Sequence, residues 1–347
     1  MDTPNVVVVG YGYAGRCFHT YLVRQTPSLH LYGIVTSRAT AREHIQQHLR
    51  LKTFDHFEDV LADPQVDLVV LATPNDLHAP QAIQALAAGK HVVTDKPMCL
   101  NVAEAEAMIA ASRQHQRLLS VFQNRRWDGD FLTVRQVLEA GLLGTPFLLQ
   151  TVWLRHGQPR GWSGARQRGG GVLLDLGSHL IDQAVQLLGG PVDQVYARCH
   201  TNLWANDVDD HVHCMLHFAS GVDVHITVSS VAQRSMRRWH VLGTRGALLK
   251  EGFDAQERAM VAGDIDAARE DPAHYARVFC TATEQPAERV IETVPGRWRS
   301  YYENIAGVLH NQEVLAVTPE SSRTVMAILD AAKQSAATQQ VVRLAAG

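Results

Sequence analysis

The sequence predicts an α/β half followed by an α+β half: an N-terminal doubly wound parallel Rossmann sheet, then a second domain built on a large open, mostly antiparallel sheet. Three observations carry this. A glycine-rich turn joins an apolar strand to a helix at the start of the chain, apolar strands then alternate with helices up to residue 122, and from Val192 onward the hydrophobic period becomes two. The expected division is a dinucleotide-binding domain over 1–122 and a substrate-binding and oligomerisation domain over 123–347, with the final helices able to pack back on the first domain.

With 347 residues, 46% hydrophobic and 19% charged, the chain is long enough for two cores. A net charge of −3 and the lack of any basic run beyond two adjacent arginines argue against nucleic acid or an anionic membrane as partner. Five cysteines without a CxxC pair suit reduced thiols, and no apolar stretch is long enough to span a bilayer. A cytoplasmic protein is expected.

Asn5–Val9 is a fully apolar strand, and Gly10-Tyr11-Gly12-Tyr13-Ala14-Gly15 follows at once, leading into a helix from Arg16 to Leu22. In this G-x-G-x-x-G context the first glycine permits a tight turn, the second lets backbone approach a pyrophosphate, and the third brings helix against strand. A second strand, Leu29–Val35, ends in Thr36-Ser37-Arg38, where an NAD site usually places an acid for the ribose 2′-hydroxyl. A serine beside an arginine suits a 2′-phosphate instead, so NADP is expected over NAD; the alternative is a surface loop with a solvated arginine.

The strand Val66–Ala72 runs into Thr73-Pro74-Asn75-Asp76-Leu77-His78, where Thr73 and Asn75 offer hydrogen bonds and Pro74 rigidity to a nucleotide. His78 either joins that site or caps the next helix, Ala79–Gly89. Next, His91-Val92-Val93-Thr94 reads as a buried strand that breaks into Asp95-Lys96-Pro97. The proline ends the strand and leaves Lys96 at its carboxyl edge, where open α/β sheets bind ligands. A lysine there can donate to a substrate oxygen; otherwise it simply begins the next helix, Val102–Gln114.

After the strand Leu118–Phe122, the polar segment Gln123-Asn124-Arg125-Arg126-Trp127-Asp128-Gly129-Asp130 either lines a cleft or forms an interdomain turn with its arginines paired to Asp128 and Asp130. Farther on, three glycines and a terminal glycine pair bracket a helix over 171–189. Asp175, His179 and Asp182 stand at i, i+4 and i+7, within about 60° of one another. Leu176, Leu180, Ala184, Leu187 and Leu188 occupy the opposite arc, so one face is expected to pack and the other to present carboxylate, imidazole, carboxylate. A histidine between two acids suits general acid/base work near neutral pH; the bland alternative is a solvated polar face. The period-two strands then begin near Val195, Asp210, Gly221 and Arg238. His211, His213 and His217 share one face, for which a subunit interface is expected and a metal is not. Residues 252–271 carry no readable motif, and two helical patterns, Trp298–Leu309 and Pro319–Ala337, close the chain.

Together the glycine turn, Thr73-Pro74-Asn75-Asp76-x-His78, Asp95-Lys96-Pro97, Asn124-Arg125-Arg126-Trp127-Asp128, Asp175-Leu176-Gly177-Ser178-His179 and Tyr301-Tyr302 resemble the Gfo/Idh/MocA family of oxidoreductases over essentially the whole chain. Ser37-Arg38 and the Asn-Arg-Arg-Trp-Asp segment are similar to the family's NADP-dependent scyllo-inositol dehydrogenase subgroup. The resemblance implies Lys96 as catalytic lysine, His179 as acid/base and Asp175 as its substrate-orienting partner. It implies Gly10 to Gly15, Ser37, Arg38, Thr73, Pro74, Asn75, His78, Asp95 and Lys96 around the cofactor, with Asn124, Arg126, Trp127, Asp175 and His179 on a sugar or cyclitol. It also implies a homodimer or homotetramer joined through the open sheet. A dinucleotide-binding sensor, or a reductase of a non-sugar substrate, is the alternative. Asp95 stands where the family more often has Glu, and residues 156–166 depart from the inositol dehydrogenase pattern, which leaves the substrate open.

Overall fold

A computed structural model describes residues 3–280 and 287–344 of the chain. It divides into two compact units, the first comprising Met1–Asn124 with Trp298–Met326 and the second Arg125–Arg297 with Ala327–Gly347.

The first unit contains β1 (Asn5–Val9), α1 (Thr20–Arg24), β2 (His30–Val35), α2 (Ala39–His44), β3 (Lys52–Phe54), α3 (Phe57–Ala62), β4 (Leu68–Leu71), α4 (His78–Ala87), β5 (His91–Thr94), α5 (Val102–His115) and β6 (Leu119–Val121). The six strands form one parallel sheet in the order β3-β2-β1-β4-β5-β6, a doubly wound arrangement whose order reverses beside β1. Val6 to Val9 and Leu68 to Leu71 are buried, as near-continuous β-branched runs covered on both faces must be. Two details differ from the sequence reading. The helix after the glycine turn opens with a wide π-turn over Ala14–His19 before α1 begins, and the edge strand β3 lies in a stretch without alternation, where three residues leave no period to detect.

The second unit contains α6 (Gly129–Glu139), β7 (Pro146–Leu154), α7 (Ser178–Leu188), β8 (Val192–His200), β9 (His211–Phe218), β10 (Asp223–Ser229), β11 (Trp239–Gly243), β12 (Gly246–Lys250), α8 (Gln256–Val261), β13 (Ala276–Cys280) and β14 (Ala287–Ile291). The chain then contributes α9 (Arg299–Leu309) to the first unit, and α10 (Pro319–Thr338) begins in the first unit and ends in the second, followed there by β15 (Val342–Arg343). The nine strands run in the order β14-β13-β12-β11-β7-β10-β9-β8-β15. All pairings are antiparallel except β7 with β10. The alternation of β9 is as expected, with Val212, Cys214, Leu216 and Phe218 buried and His213 and Met215 exposed. Strand β7 and the strands after β11 escaped the sequence reading, because they are short or carry apolar residues on both faces. Residues 252–271, unreadable in sequence, form α8 and irregular turns pinned by buried Lys250, whose Nζ donates to Glu270 Oε1 at 2.6 Å.

His91, at the start of β5, accepts the Leu118 amide at Nδ1 (2.9 Å), and burial together with the nearby Arg117 charge pulls its pKa down to about 4. The folded protein thus holds a neutral ring that the unfolded chain protonates below about 6.5. Its stabilising contribution is complete above that value and is lost as the pH falls from about 6.5 towards 4, with a slope of at most about 1.4 kcal/mol per pH unit. His91→Asn keeps an acceptor for Leu118 but does not titrate. In urea melts between pH 7 and 4.5 it should show a shallower loss of stability than the native chain, and parallel curves would refute this account.

Candidate active site

The candidate residues fall into two groups, one in each unit. In the first, the glycine turn follows β1 at the carboxyl edge of the sheet. Gly10 has φ +97°, and a Cβ there would stand 2.5 Å from the Ala72 carbonyl oxygen; a Cβ on Gly15 would stand 1.9 Å from that of Gly10. A Cβ on Gly12 would meet nothing within 4 Å. Two glycines are therefore required by packing, and the middle one opens a cradle where backbone is exposed beside the first helical turn. That is the shape a dinucleotide pyrophosphate needs, and the residues fit such a group. Tyr11 packs with Ile34 and Ile45, and its carbonyl accepts from the Arg38 guanidinium, which together with Ser37 follows β2 on the surface. Thr73 Oγ1 donates to Gln81, and Asn75 is buried after Pro74.

At the edge of β5, Lys96 is half-buried and is followed by Pro97 through a cis peptide bond. Its surroundings are tied down from two sides. Asp95 Oδ1 accepts the Lys96 amide at 2.8 Å, while Oδ2 lies 3.3 Å from Nε2 of buried His19. Nδ1 of His19 is hydrogen-bonded to Tyr302 Oη at 2.7 Å. Burial pushes the Asp95 carboxyl up, but the hydrogen bond from His19 and the nearby His19, Lys96 and His78 charges outweigh it, and the net direction is down. His78 begins α4, and its ring nitrogens lie 2.9 Å from both the Pro97 and Thr73 carbonyl oxygens. It clips together the two loops expected to meet the nucleotide. Burial pulls its pKa below the ordinary imidazole value, while Asp95 and those carbonyls, which can both be bonded only by a ring carrying two N–H donors, pull the other way. Sequence reasoning missed His19, which lies in a helix and gives no local signal of its contact with Tyr302, 283 residues away.

In the second unit the face carrying Asp175, His179 and Asp182 requires correction. It does not present three polar groups alike: Asp175 has a side chain 38% exposed, His179 is 5% exposed and Asp182 is enclosed. Leu173–Gly177 is a π-turn ahead of α7, and α7 is buried around its whole circumference through Ala184, so its polar face has no solvent to meet. Asp182 accepts both Nε (2.9 Å) and Nη2 (2.6 Å) of Arg126 in a two-point pair. Arg126, expected on the substrate, is consequently occupied within the core. Removing either partner would strand a buried charge, at a cost of about 3–5 kcal/mol. Asp175 instead receives Arg155 Nη2 at 2.9 Å. Of the polar segment before α6, Asn124 is buried and Trp127 is half-exposed; Arg125 pairs with Asp128, as one alternative anticipated, whereas Asp130 takes Arg238.

Comparison with known proteins agrees with this architecture. Residues 4–123 match the family model for the oxidoreductase family NAD-binding Rossmann fold, and residues 131–249 match the GFO/IDH/MocA C-terminal domain. The chain is 34% identical to the uncharacterised oxidoreductase YdgJ of Escherichia coli, over 96% of this chain and 97% of that one. It is 30% identical to the NADP(+)-dependent scyllo-inositol 2-dehydrogenase IolW of Bacillus subtilis, over 99% and 97%. The solved structure of the oxidoreductase yvaA from Bacillus subtilis superposes with a TM-score of 0.92 at 29% identity, covering 99% of each chain.

The glycine geometry separates folding from binding. Gly15→Ala should destabilise the protein by about 3 kcal/mol or more, since the new Cβ meets backbone. Gly12→Ala should leave the thermal midpoint within about 2 °C of the native value yet weaken binding of the reduced dinucleotide, NADH or NADPH, about tenfold, as measured by fluorescence titration. Equal loss of stability in both variants would contradict the geometry. On the glycine turn, the parallel six-stranded sheet and these two matches over most of its length, the chain belongs to the Gfo/Idh/MocA family of NAD(P)-binding oxidoreductases.

Proposed function

We propose that the protein is an NADP-dependent dehydrogenase or reductase acting on a CH–OH group, exchanging a hydride with a hydroxyl or keto carbon of a sugar or cyclitol of the inositol type. The observation that carries this is the immobilised edge at Lys96. Asp95, His19, Tyr302 and His78 fix the backbone on both sides of one half-buried lysine, and a protein that only binds a dinucleotide has no need for the root of a lysine side chain to be fixed so closely. When bound, the nicotinamide ring supplies the carbon that gives or receives the hydride. Lys96 donates a hydrogen bond to the reacting oxygen and stabilises the negative charge that grows there. His179 removes the hydroxyl proton in oxidation and returns it in reduction, while Asp175, matched in charge by Arg155, orients the substrate.

The preference for NADP rests on Ser37 and Arg38. The bond from Arg38 to the Tyr11 carbonyl holds a guanidinium beside the glycine turn, and no acid takes the ribose position after β2. Thr73, Pro74 and Asn75 would flank the nucleotide, and Trp127 the substrate. The enzyme is further proposed to be cytoplasmic and a homodimer or homotetramer joined through the open face of the second sheet. That face bears a hollow of about 610 Å³ lined by His213, Met215, His225 and His240.

An absorbance assay at the reduced-nicotinamide band, with inositols, aldoses and their keto forms against NADP and NAD, tests the reaction. Lys96→Met should reduce turnover at least about 1,000-fold while leaving NADPH affinity within about threefold; near-normal turnover would remove the lysine from the mechanism. Arg38→Ala should raise the Kd for NADPH about tenfold or more and leave that for NADH unchanged, and an equal effect on both would refute the 2′-phosphate assignment.

A further inference from the structure

We infer that Trp153 is a positioning residue for His179, and that the Arg125–Glu257 pair behind it sets the charge that His179 experiences. This rests on the reading of His179 as the acid/base group. Trp153 lies near the end of β7, and the imidazole of His179 is stacked on its indole, with centroids 5.9 Å apart and planes at 22°. The same indole carries Arg125, whose Cζ stands 4.3 Å from the ring centroid, and Arg238 at 5.6 Å; Phe253 packs against it at 5.3 Å. One aromatic system thus holds three nitrogen groups. Two are permanent cations, and the third gains and loses a charge during each proposed turnover.

Stacking restricts rotation of the His179 ring, which a base needs if its nitrogen is to meet a hydroxyl proton repeatedly in one direction. The indole face also favours an imidazolium, whereas the neighbouring guanidiniums oppose it. The balance is set by pairing. In the π-turn ahead of the helix of His179, Asp175 is matched by Arg155, and on that helix Asp182 is matched by Arg126. Immediately before β11, Arg238 is matched by Asp130, and Arg125 is shared between Asp128 (3.2 Å) and Glu257 of α8 (2.9 Å). Of the two acids paired with Arg125, Glu257 is the accessible one, with its side chain 35% exposed. Without it, Arg125 keeps buried Asp128 as its ion-pair partner with Asp254 nearby, its positive field is less compensated, and protonation of His179 becomes harder. The region over 252–271 therefore acts on the chemistry through Phe253 and Glu257, neither of which touches His179 as a catalytic group would.

The test uses the full chain with 13C,15N-labelled histidine, following the imidazole Cε1–H signals with pH. His179→Asn identifies the His179 signal by its disappearance. In the native protein this signal should carry a ring-current shift, retained in part by Trp153→Phe and abolished by Trp153→Leu, and Glu257→Gln should lower its titration midpoint. Kinetics with scyllo-inositol and NADP form a second arm. Trp153→Leu should lower kcat about tenfold or more with KM within about threefold, Trp153→Phe should restore most of it, and the acid limb of kcat/KM should move to lower pH in Glu257→Gln. A His179 signal that is unchanged in both Trp153→Leu and Glu257→Gln would overturn the inference, even where Trp153→Leu proves unstable. Full turnover by His179→Asn would instead overturn the acid/base reading while leaving the NMR result to stand or fall by itself.

Discussion

The second unit depends on one buried cation. The Arg238 guanidinium is 1% exposed, and burial pulls its pKa down despite the opposing pull of Asp130 and Asp128. It remains charged because its donors are answered one by one. Nε gives to Asp130 on α6, Nη1 to Thr151 Oγ1 and the Val152 carbonyl on β7, and Nη2 to Gln183 Oε1 on α7. Asp130 also accepts Trp239 Nε1 at 2.7 Å, and Gln183 passes its own amide proton to the Arg125 carbonyl at 2.8 Å. Sheet, two helices and the segment bearing Arg125 are thereby held in one register. Such a network is costly to leave half-made and specific when complete.

The two units reach rigidity by different means. In the first, backbone does most of the positioning: a glycine whose missing side chain lets strand meet helix, carbonyls gripped by His78, and a carboxylate that caps its own neighbour's amide. In the second, long side chains do it, through paired arginines and acids in a volume that excludes water. The backbone positioning of the first half suits a dinucleotide, whose pyrophosphate is bound well by amides at a helix start.

This difference also explains what the sequence disclosed. The glycine turn, the strand ending at Lys96 and the period of β9 are local patterns, each visible within about ten residues because neighbouring positions share one physical task. The pair between Arg126 and Asp182 spans 56 residues, that between Asp130 and Arg238 spans 108, and the contact of His19 with Tyr302 spans 283. Nothing in a residue's immediate neighbours announces such a partner. Hence Arg126 and Asp182 looked like groups awaiting a ligand when they were already satisfied by each other. Helical spacing identified Asp175, His179 and Asp182 as sharing a side, but could not foresee that the π-turn and enclosing elements would give the three such different access to water.

The parallel pairing of β7 with β10, which stands alone among the described strands of the second sheet, has a consequence of another kind. Because these adjacent strands run the same way, the loops after both emerge at the same end of the sheet. They meet there: His156 bridges Val231, and the Ala232 amide donates to the Arg155 carbonyl at 3.0 Å. Arg155 holds Asp175, so both loops reach the π-turn ahead of α7 without passing through the arginine core. Drift in these two loops changes the surface they present while the buried arginine frame stays untouched. Residues 156–166, where this chain departs from the inositol dehydrogenase pattern, lie in the first of them, on the part of the architecture best able to diversify among relatives that share only about a third of their residues.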